Sequence, residues 1–465
     1  MKGLSEGQIE RIRRATEDIL ENTGIRVRHE GILRSAGKTG AKVEETSGIV
    51  KIPAPMLREL LSHIPKQYTV AGMNGESKTV GSKEPHGLAI VTDPWIIDYE
   101  TRQPRKPRLE DIRRHTRVAQ KLDQVVAISL MDYPVTDFKG PDSSLHALEA
   151  HLLNHDKHMY VLATSLESFE RWLRIGRMLA RGHALKGSRL MTIGVAMLSP
   201  LTLTEMNAQF LLSACEHDFP VVPTICPMAG TTSPYSKAGT LLLGHAENVF
   251  LGALTQMIRP GHPFLYALGP SRTDMRTGED MYYTLDKVLW KTASVQLGKA
   301  YGMPTAAECG GTMTCRYDPQ NGAEGILFML SAYQSGADML AGIGSCCNAV
   351  GMSGEMMVIH TAWLEAAKFL CAGIDIEAHL GLENIKRAGP GGHYMEDEMT
   401  LELLRSDEFF FNELFDYGSC REGQPSMLER AHRKVEEMTT DFRSPVPEEV
   451  QEELRRFFHD EYARL

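Results

Sequence analysis

Eight short apolar or β-branched runs recur along the chain, each followed by a stretch of helical period. That alternation limits the fold more than any other feature. The runs lie at 88–92 (LAIVT), 125–131 (VVAISLM), 159–163 (MYVLA), 190–197 (LMTIGVAM), 220–226 (PVVPTIC), 264–268 (FLYAL), 304–308 (PTAAE) and 338–343 (DMLAGI). Helical stretches follow at 109–121, 143–156, 167–181, 203–216, 236–258, 280–300, 320–335 and 353–372. Eight successive strand–helix units predict a closed (β/α)8 TIM barrel over residues 85–372 rather than an open doubly wound sheet. The sixth and seventh runs carry the weakest strand character.

The flanks break this rhythm. Ser5 with Gln8 three residues on forms a capping box, Ile9, Ile12, Ala15, Ile19 and Leu20 make an apolar stripe, and Gly24 can end the helix. A second helix starts near Pro53 and Pro55, runs through Leu57, Leu60 and Leu61, and stops before Pro65. With short strand-like pieces between and after them, residues 1–84 read as a small α+β extension. Beyond residue 373 a glycine-rich stretch, 389–400 (GPGGHYMEDEMT), leads into acidic amphipathic helices, read as a tail packed on the barrel.

Several function classes drop out on bulk grounds. A formal net charge of −10 argues against a phosphate-seeking nucleic-acid protein. The basic run Arg102, Arg105, Lys106 and Arg108 is broken by Pro104 and Pro107 and reads as a solvated loop. No segment is apolar for the ~20 residues a membrane span needs. Eight cysteines without CxxC spacing predict reduced thiols in a cytoplasm, not a disulfide framework.

In a barrel the chemistry gathers where the loops leave the C-terminal strand ends. Those loops contain Asp93 and Trp95; Asp132, Tyr133 and Pro134; Ser199 and Pro200; Cys226 to Thr232 with Tyr235; Gly269 to Arg276; Glu308 to Gly311; and Ser345 to Asn348. They are rich in Gly, Pro, Ser and Thr, which permit close approach but supply little acid–base power. There is no recognisable Ser-His-Asp order, no P-loop, and the glycines at 389–392 lack the preceding strand of a dinucleotide fingerprint.

Longer strings in these positions resemble one known family. They are KIPAPMLRELLSHIPKQYTVAG (51–72), CPMAGTTSPYSKAG (226–239), GHAENVFLGALTQMIRPGHPFLYAL (244–268), DMRTG (274–278) and GPGGHYMEDEMT (389–400). Together they resemble the trimethylamine methyltransferase family, and within it the members without pyrrolysine, which include glycine betaine methyltransferases. The resemblance implies a barrel that binds a small methylated amine. The methyl would pass to a corrinoid (cobalamin) carried by a separate small protein, docked on the rim formed by 226–239, 269–278 and 345–352. No corrinoid is expected on this chain itself, since no D-x-H-x-x-G string occurs in it. A homo-oligomer is expected.

The lack of pyrrolysine bears on the donor. A protonated tertiary amine is a poor methyl donor, whereas a quaternary ammonium releases a neutral amine and needs no general acid, only alignment with a strong nucleophile. The expected reaction is therefore methyl transfer from glycine betaine or a related betaine to cobalt(I), by positioning alone and with no assigned catalytic residue. A quaternary ammonium has no N–H to donate and calls for aromatic faces and an anion. Trp95, Tyr133, Tyr235 and Tyr266 are the strand-end aromatics, with Asp132 and Glu308 as counter-charges. Arg272, Arg276, Asn348 or His393 would receive a substrate carboxylate, though Arg276 equally suits a pair with Asp274.

Two constellations compete with this reading. His151, His155 and His158 share one helix face but precede the third strand, at the barrel end opposite the chemistry, and read as a surface or interface cluster. Cys346 and Cys347 follow the eighth strand, as the cysteine pair of zinc-dependent homocysteine methyltransferases does, but no third cysteine ends the sixth. A zinc-dependent betaine–thiol methyltransferase and a non-enzymatic betaine-binding protein stay open as alternatives. The 24 methionines read mainly as adaptable core residues.

Overall fold

A computed structural model describes residues 3–82, 84–131, 133–138, 140, 142–418 and 423–465. Seven parallel strands form one sheet: β1 (His86–Ile90), β2 (Val125–Ser129), β3 (His158–Val161), β4 (Met191–Ala196), β5 (Val221–Thr224), β7 (Ala306–Glu308) and β8 (Met339–Ile343). Their order is β5-β4-β3-β2-β1-β8-β7. The gap between β5 and β7 is closed by residues 264–266, the β6 segment. It bridges to β5 through Val221 and Phe264 and toward β7 through Tyr266 and Thr305, both in parallel sense. The (β/α)8 barrel is thus closed, with β6 reduced to two isolated bridges. Pro263 and the chain around it leave little regular backbone pairing there.

Each strand is followed by the expected helix: α1 (Leu109–Lys121), α2 (Ser143–Leu152), α3 (Leu166–Leu179), α4 (Glu205–His217), α5 (Lys237–Ile258), α6 (Leu285–Ala300), α7 (Pro319–Gln334) and α8 (Gly354–Ala372). Most open on a side-chain cap. Ser165, Thr204, Ser236, Asp318 and Ser353 each accept a hydrogen bond from a backbone N–H of the first turn, satisfying donors a helix start otherwise strands.

Strand alternation builds the interior in two layers. Leu88, Ala127, Val222, Leu265, Ala306 and Met339 point inward and form one buried cluster, capped by Tyr68, Val70 and Val80. The last three belong to an antiparallel hairpin, Tyr68–Ala71 with Ser77–Val80, which plugs the N-terminal mouth. Two residues further along the same faces stand Ile90, Ser129, Thr224, Ala267, Glu308 and Ala341, which line a cavity instead.

The flanks hold one addition and one reversal. Residues Glu30–Lys38, between the two expected N-terminal helices, are a third helix. His29 caps it, and Ile32 and Ala36, one turn apart, are its buried stripe. The strand Ile25–Val27 pairs with Thr202–Leu203 of the loop after β4, tying the extension to the barrel. The histidine cluster does lie at the N-terminal end, but it is not surface: His151, His155 and His158 are 1%, 0% and 2% exposed. Burial pushes all three imidazoles down, His155 to about 3 and His158 to about 4. His158 bridges the carbonyl of Ala71 in the plug to Thr192 of β4.

Of the tail, helices Met427–Thr439 and Glu448–Tyr462 dock on the barrel through Ala431, Val435, Leu454 and Phe458. Arg171 and Arg174 of α3 pair with buried Glu461. The helices Leu382–Ala388 and Glu398–Leu403 bury no residue. No helix among the described residues is long and apolar enough to cross a membrane.

With so little backbone pairing, β6 depends on its side-chain anchors. The Phe264 ring is fully buried and lies on Gly252 of α5, where a Cβ would stand 3.3 Å from it. Phe264→Ala should lower stability by about 3–5 kcal/mol, read from the urea midpoint.

Candidate active site

The cavity at the C-terminal mouth has a volume of about 440 Å³. Besides the upper layer of the barrel it is lined by Asp93, Met131, Tyr160, Cys226, Tyr282, Tyr283, Lys291, Ser345 and Asn348. Its floor is apolar and its walls carry a few charged and aromatic groups, the usual build of a small-molecule site.

One wall is a buried ionic cluster. Glu308, ending β7, meets Lys291 at 2.6 Å and Lys287 at 3.4 Å, both from α6. The Tyr282 hydroxyl donates to the other carboxylate oxygen of Glu308 at 2.5 Å. Lys291 also donates to the carbonyl of Leu268, and the Lys287 ammonium sits 2.7 Å from the centre of the Tyr282 ring. Burial alone would raise the Glu308 carboxyl, but the two ammonium groups outweigh it and hold it down at about 2. Lys287 is fully buried, and desolvation lowers it to about 7 despite the attraction of Glu308. Two lysines share the Glu308 carboxylate, and the carboxyl of Asp280, also in the cavity lining, lies near enough to Lys287 to favour its ammonium form.

The other walls are built by loops that interlock. Cys347, Asn348 and Ala349 all adopt positive φ, at 51°, 55° and 62°, which is uncommon for residues with a side chain. Hydrogen bonds from Cys347 to Thr314 and from Asn348 to Thr312 hold that backbone, and a Cys315–Cys347 disulfide fastens the loops after β7 and β8. So oriented, the Asn348 side chain accepts from the backbone N–H of Tyr282 at 2.7 Å and of Tyr283 at 3.2 Å, and donates to the Asp280 carbonyl at 2.6 Å. Tyr283 in turn donates to Ser345. Its ring presses on Gly311, where a Cβ would come within 2.4 Å and where φ is +128°, so glycine is required on both counts.

A family model described as trimethylamine methyltransferase (MTTB) matches residues 1–464. The chain belongs to the trimethylamine methyltransferase family. Among its relatives, the glycine betaine methyltransferase of Desulfitobacterium hafniense (strain Y51) is 26% identical, covering 98% of this chain and 96% of that protein. The proline betaine:corrinoid methyltransferase of Eubacterium limosum is 24% identical over 97% and 96%. The trimethylamine methyltransferase MttB of D. hafniense (strain DSM 10664 / DCB-2) is 23% identical over 100% and 95%. A crystal structure of the hydroxylamine complex of MtmB shares the fold, with a TM-score of 0.51 and 13% identity over 94% of this chain and 88% of that one.

For this family member the structure sorts the sequence-derived site residues. Glu308 and Asn348 line the cavity. Tyr133 is half-buried and close enough to Asp93 to feel its charge. The remaining aromatics are elsewhere. Lys106 covers the Trp95 ring at 3.7 Å, and Tyr235 is 64% exposed on the rim. Tyr266 is 1% exposed and bonds His245 of α5 at 2.8 Å, because Leu265 and Ala267 take the inward positions of β6 and turn Tyr266 outward. Arg276 is 91% exposed and only 3.7 Å from Asp274, the loop-holding alternative. Arg272 lies 3.9 Å from Asp286 outside the cavity lining, and His393 is exposed in the glycine-rich stretch. Asp132 lies outside the described residues.

The reduced-thiol expectation is corrected by the Cys315–Cys347 bond, which also removes Cys347 from the adjacent-cysteine zinc ligand pair. Cys346 is buried, which pushes its thiol well up. Among the described residues no group of three or more His, Cys, Asp or Glu is arranged to hold a metal.

Sequence reasoning missed Lys291, Tyr160, Tyr282 and Tyr283 as cavity groups and Lys287 as the second lysine behind Glu308. One signal was available: two lysines four residues apart fall on one face of α6, among Val288, Trp290 and Val295. Buried lysines need a partner, and Glu308 was already in view.

Two expectations follow. Tyr266→Leu should leave substrate KM near wild type while costing about 1–3 kcal/mol of stability from the lost buried hydrogen bond, checked by steady-state kinetics alongside urea melts. Lys287 has a folded pKa of about 7 against an ordinary 10.5, so between those values the unfolded chain binds more protons. Its contribution makes stability rise with pH across that window. Lys287→Met should flatten that rise, seen by comparing variant and wild-type urea midpoints at about pH 7 and about pH 9.5.

Proposed function

We propose that this protein takes a methyl group from a betaine, with glycine betaine the leading candidate, and delivers it to a reduced corrinoid held by a partner protein. The observation that carries the choice of a betaine is the Lys287–Lys291–Glu308 cluster at the cavity wall. Lys291 is the lysine of that cluster that lines the cavity, and its ammonium suits a substrate carboxylate, which trimethylamine does not have.

The chain's own contribution is positioning. The cavity is of a size for a betaine, and Tyr160, Tyr282 and Tyr283 give its walls aromatic surface where a trimethylammonium group gains cation–π contact. Asn348 sets the two loop tyrosines through their backbone N–H groups. In the transfer the methyl–nitrogen bond breaks, its electron pair stays on nitrogen, and the methyl carbon goes to the corrinoid's nucleophile. The product is a tertiary amine, uncharged at nitrogen and still carrying its carboxylate, which for glycine betaine is dimethylglycine. No proton has to be delivered, in keeping with a cavity lined by no histidine and whose Glu308 is held ionised by its lysines. The corrinoid supplies the nucleophile. A macrocycle cannot enter so small a cavity, so the acceptor must meet the substrate at the mouth, across the rim loops 226–239, 269–278 and 345–352.

Incubation with cob(I)alamin and each candidate amine, followed by the absorbance of the methylated cofactor, tests this reading. Turnover with glycine betaine or another betaine is expected, together with a large acceleration when a cobalt-loaded corrinoid protein replaces free cobalamin. Turnover of trimethylamine and of no betaine would refute it.

A further inference from the structure

Eight acidic residues are buried among the described residues: Glu17, Asp93, Asp111, Asp156, Glu247, Asp338, Glu355 and Glu461. Seven have a partner. Arg58 holds Glu17, Arg105 holds Asp111, and Gln120 donates to Asp156. Ser199 and the Leu201 backbone satisfy Glu247, and Lys299 with Thr305 satisfies Asp338. His432 meets Glu355, and Arg171 and Arg174 meet Glu461. Of the eight, Asp93 has no side-chain partner among the described residues, although it is 4% exposed and lines the active-site cavity. Asp280, half-buried in the same lining, also leaves an Oδ1 without a hydrogen bond, but it has the Lys287 ammonium nearby, whereas Asp93 has no cation.

An unpaired buried carboxylate is costly and persists where something else supplies the compensation. The described groups that feel Asp93 are Tyr133 from the loop after β2, Tyr283 from the loop before α6 and Cys346 from the loop after β8. None is a cation, and burial drives the Asp93 carboxyl far above its ordinary range. A primary ammonium would want hydrogen-bond acceptors on all sides. A quaternary ammonium offers only diffuse positive charge and methyl surface, which match a bare carboxylate flanked by tyrosines.

We propose that Asp93 is the counter-charge of the substrate's quaternary ammonium, set between Tyr133 and Tyr283, and selects charged donors over neutral ones of the same shape. The proposal rests on the betaine reading above for its substrate class and gives that substrate a polarity: ammonium toward Asp93, carboxylate toward Lys291. The cavity would then offer the Asp93 carboxylate on one wall and the Lys291 ammonium on another, matching the two ends of a zwitterion. Substrate binding would ionise Asp93 and release its proton.

Calorimetric binding to the full chain with three probes tests this: glycine betaine, tetramethylammonium, and tert-butylacetate, in which carbon replaces the charged nitrogen. In Asp93→Asn, affinity for the two ammonium probes should fall roughly 10- to 100-fold, while tert-butylacetate binds as well as before or better. Unchanged ammonium binding, or an equal loss for all three probes, would overturn the proposal. Should the variant not fold, the wild type decides. Its affinity for tetramethylammonium should rise with pH with proton release to buffer, and that for tert-butylacetate should not follow it. A flat ammonium profile without proton release overturns the assignment. Asp93-dependent tetramethylammonium binding in a protein that demethylates no betaine would sink the betaine reading and keep this one. Betaine turnover untouched by Asp93→Asn would do the reverse, and a wild type that binds neither ammonium probe overturns the role of Asp93.

Discussion

Everything in the site descends from the two-residue repeat of a strand that faces inward on one side only. In a closed parallel barrel that repeat stacks side chains in layers, and here the layers differ in kind. Leu88, Ala127, Val222, Leu265, Ala306 and Met339 fill the barrel around the hairpin plug. The next inward positions shrink or turn polar, at Ser129, Thr224, Ala267, Glu308 and Ala341, and a cavity opens above a solid floor. A one-residue slip on any strand would turn its core residue and its lining residue to the outer face together. The plug from the N-terminal extension therefore matters to a site at the other end, since it fills the space that would otherwise let the floor settle.

On that floor the electrostatics divide. Glu308 is ionised because two lysines of α6 face it, and those lysines are tolerated because Glu308 and the Tyr282 ring receive them. Replacing either side alone would strand buried charge, an expense of several kcal/mol in comparable pairs. Asp93 is the counterpart with no such partner among the described residues, one barrel strand beyond β8 from Glu308. A cavity with a paired cationic wall and a bare acid is organised for a ligand carrying both signs. It has no need of an acid–base residue poised near neutrality at the reacting carbon, in line with a transfer whose leaving nitrogen departs uncharged.

The loops supply what the strands cannot. Residues 347–349 hold three successive left-handed conformations, each costing on the order of 1 kcal/mol or more for a non-glycine residue. That strain is offset by hydrogen bonds to Thr312 and Thr314 and by the covalent tie to Cys315. Its result is an Asn348 side chain turned against the backbone of Tyr282 and Tyr283. Glycines at 310 and 311 make room for His360 and for the Tyr283 ring. The loop between β7 and α7, the loop after β8 and the approach to α6 thus behave as one rigid wall.

Much of this architecture was legible in the sequence because it depends on local periodicity. Seven of the eight runs overlap strands of the barrel and the sixth supplies its two bridges, and α1 begins and ends where its pattern does, at Leu109 and Lys121. The helices read at 143–156 and 280–300 are shorter, ending at Leu152 and starting at Leu285. Glu308 and Asn348 were visible as strand-end residues, and the family strings were visible without any fold. Orientation was not. FLYAL at 264–268 is apolar throughout, so nothing in it says which side faces inward, and Tyr266 went outward to His245 while Leu265 and Ala267 turned in. His151, His155 and His158 looked like a row on one helix face, yet only His151 lies in α2, His158 opens β3, and all three are buried. Lys287 and Lys291 could be paired with Glu308 only once α6 lay against β7, and Asp93 could be recognised as unpartnered only once every neighbour had its place. Sequence alone determines periodicity and the identity of each side chain. Burial, parity and partnership are sums over distant segments, so tertiary structure alone decides which charges are satisfied and which are left for a substrate.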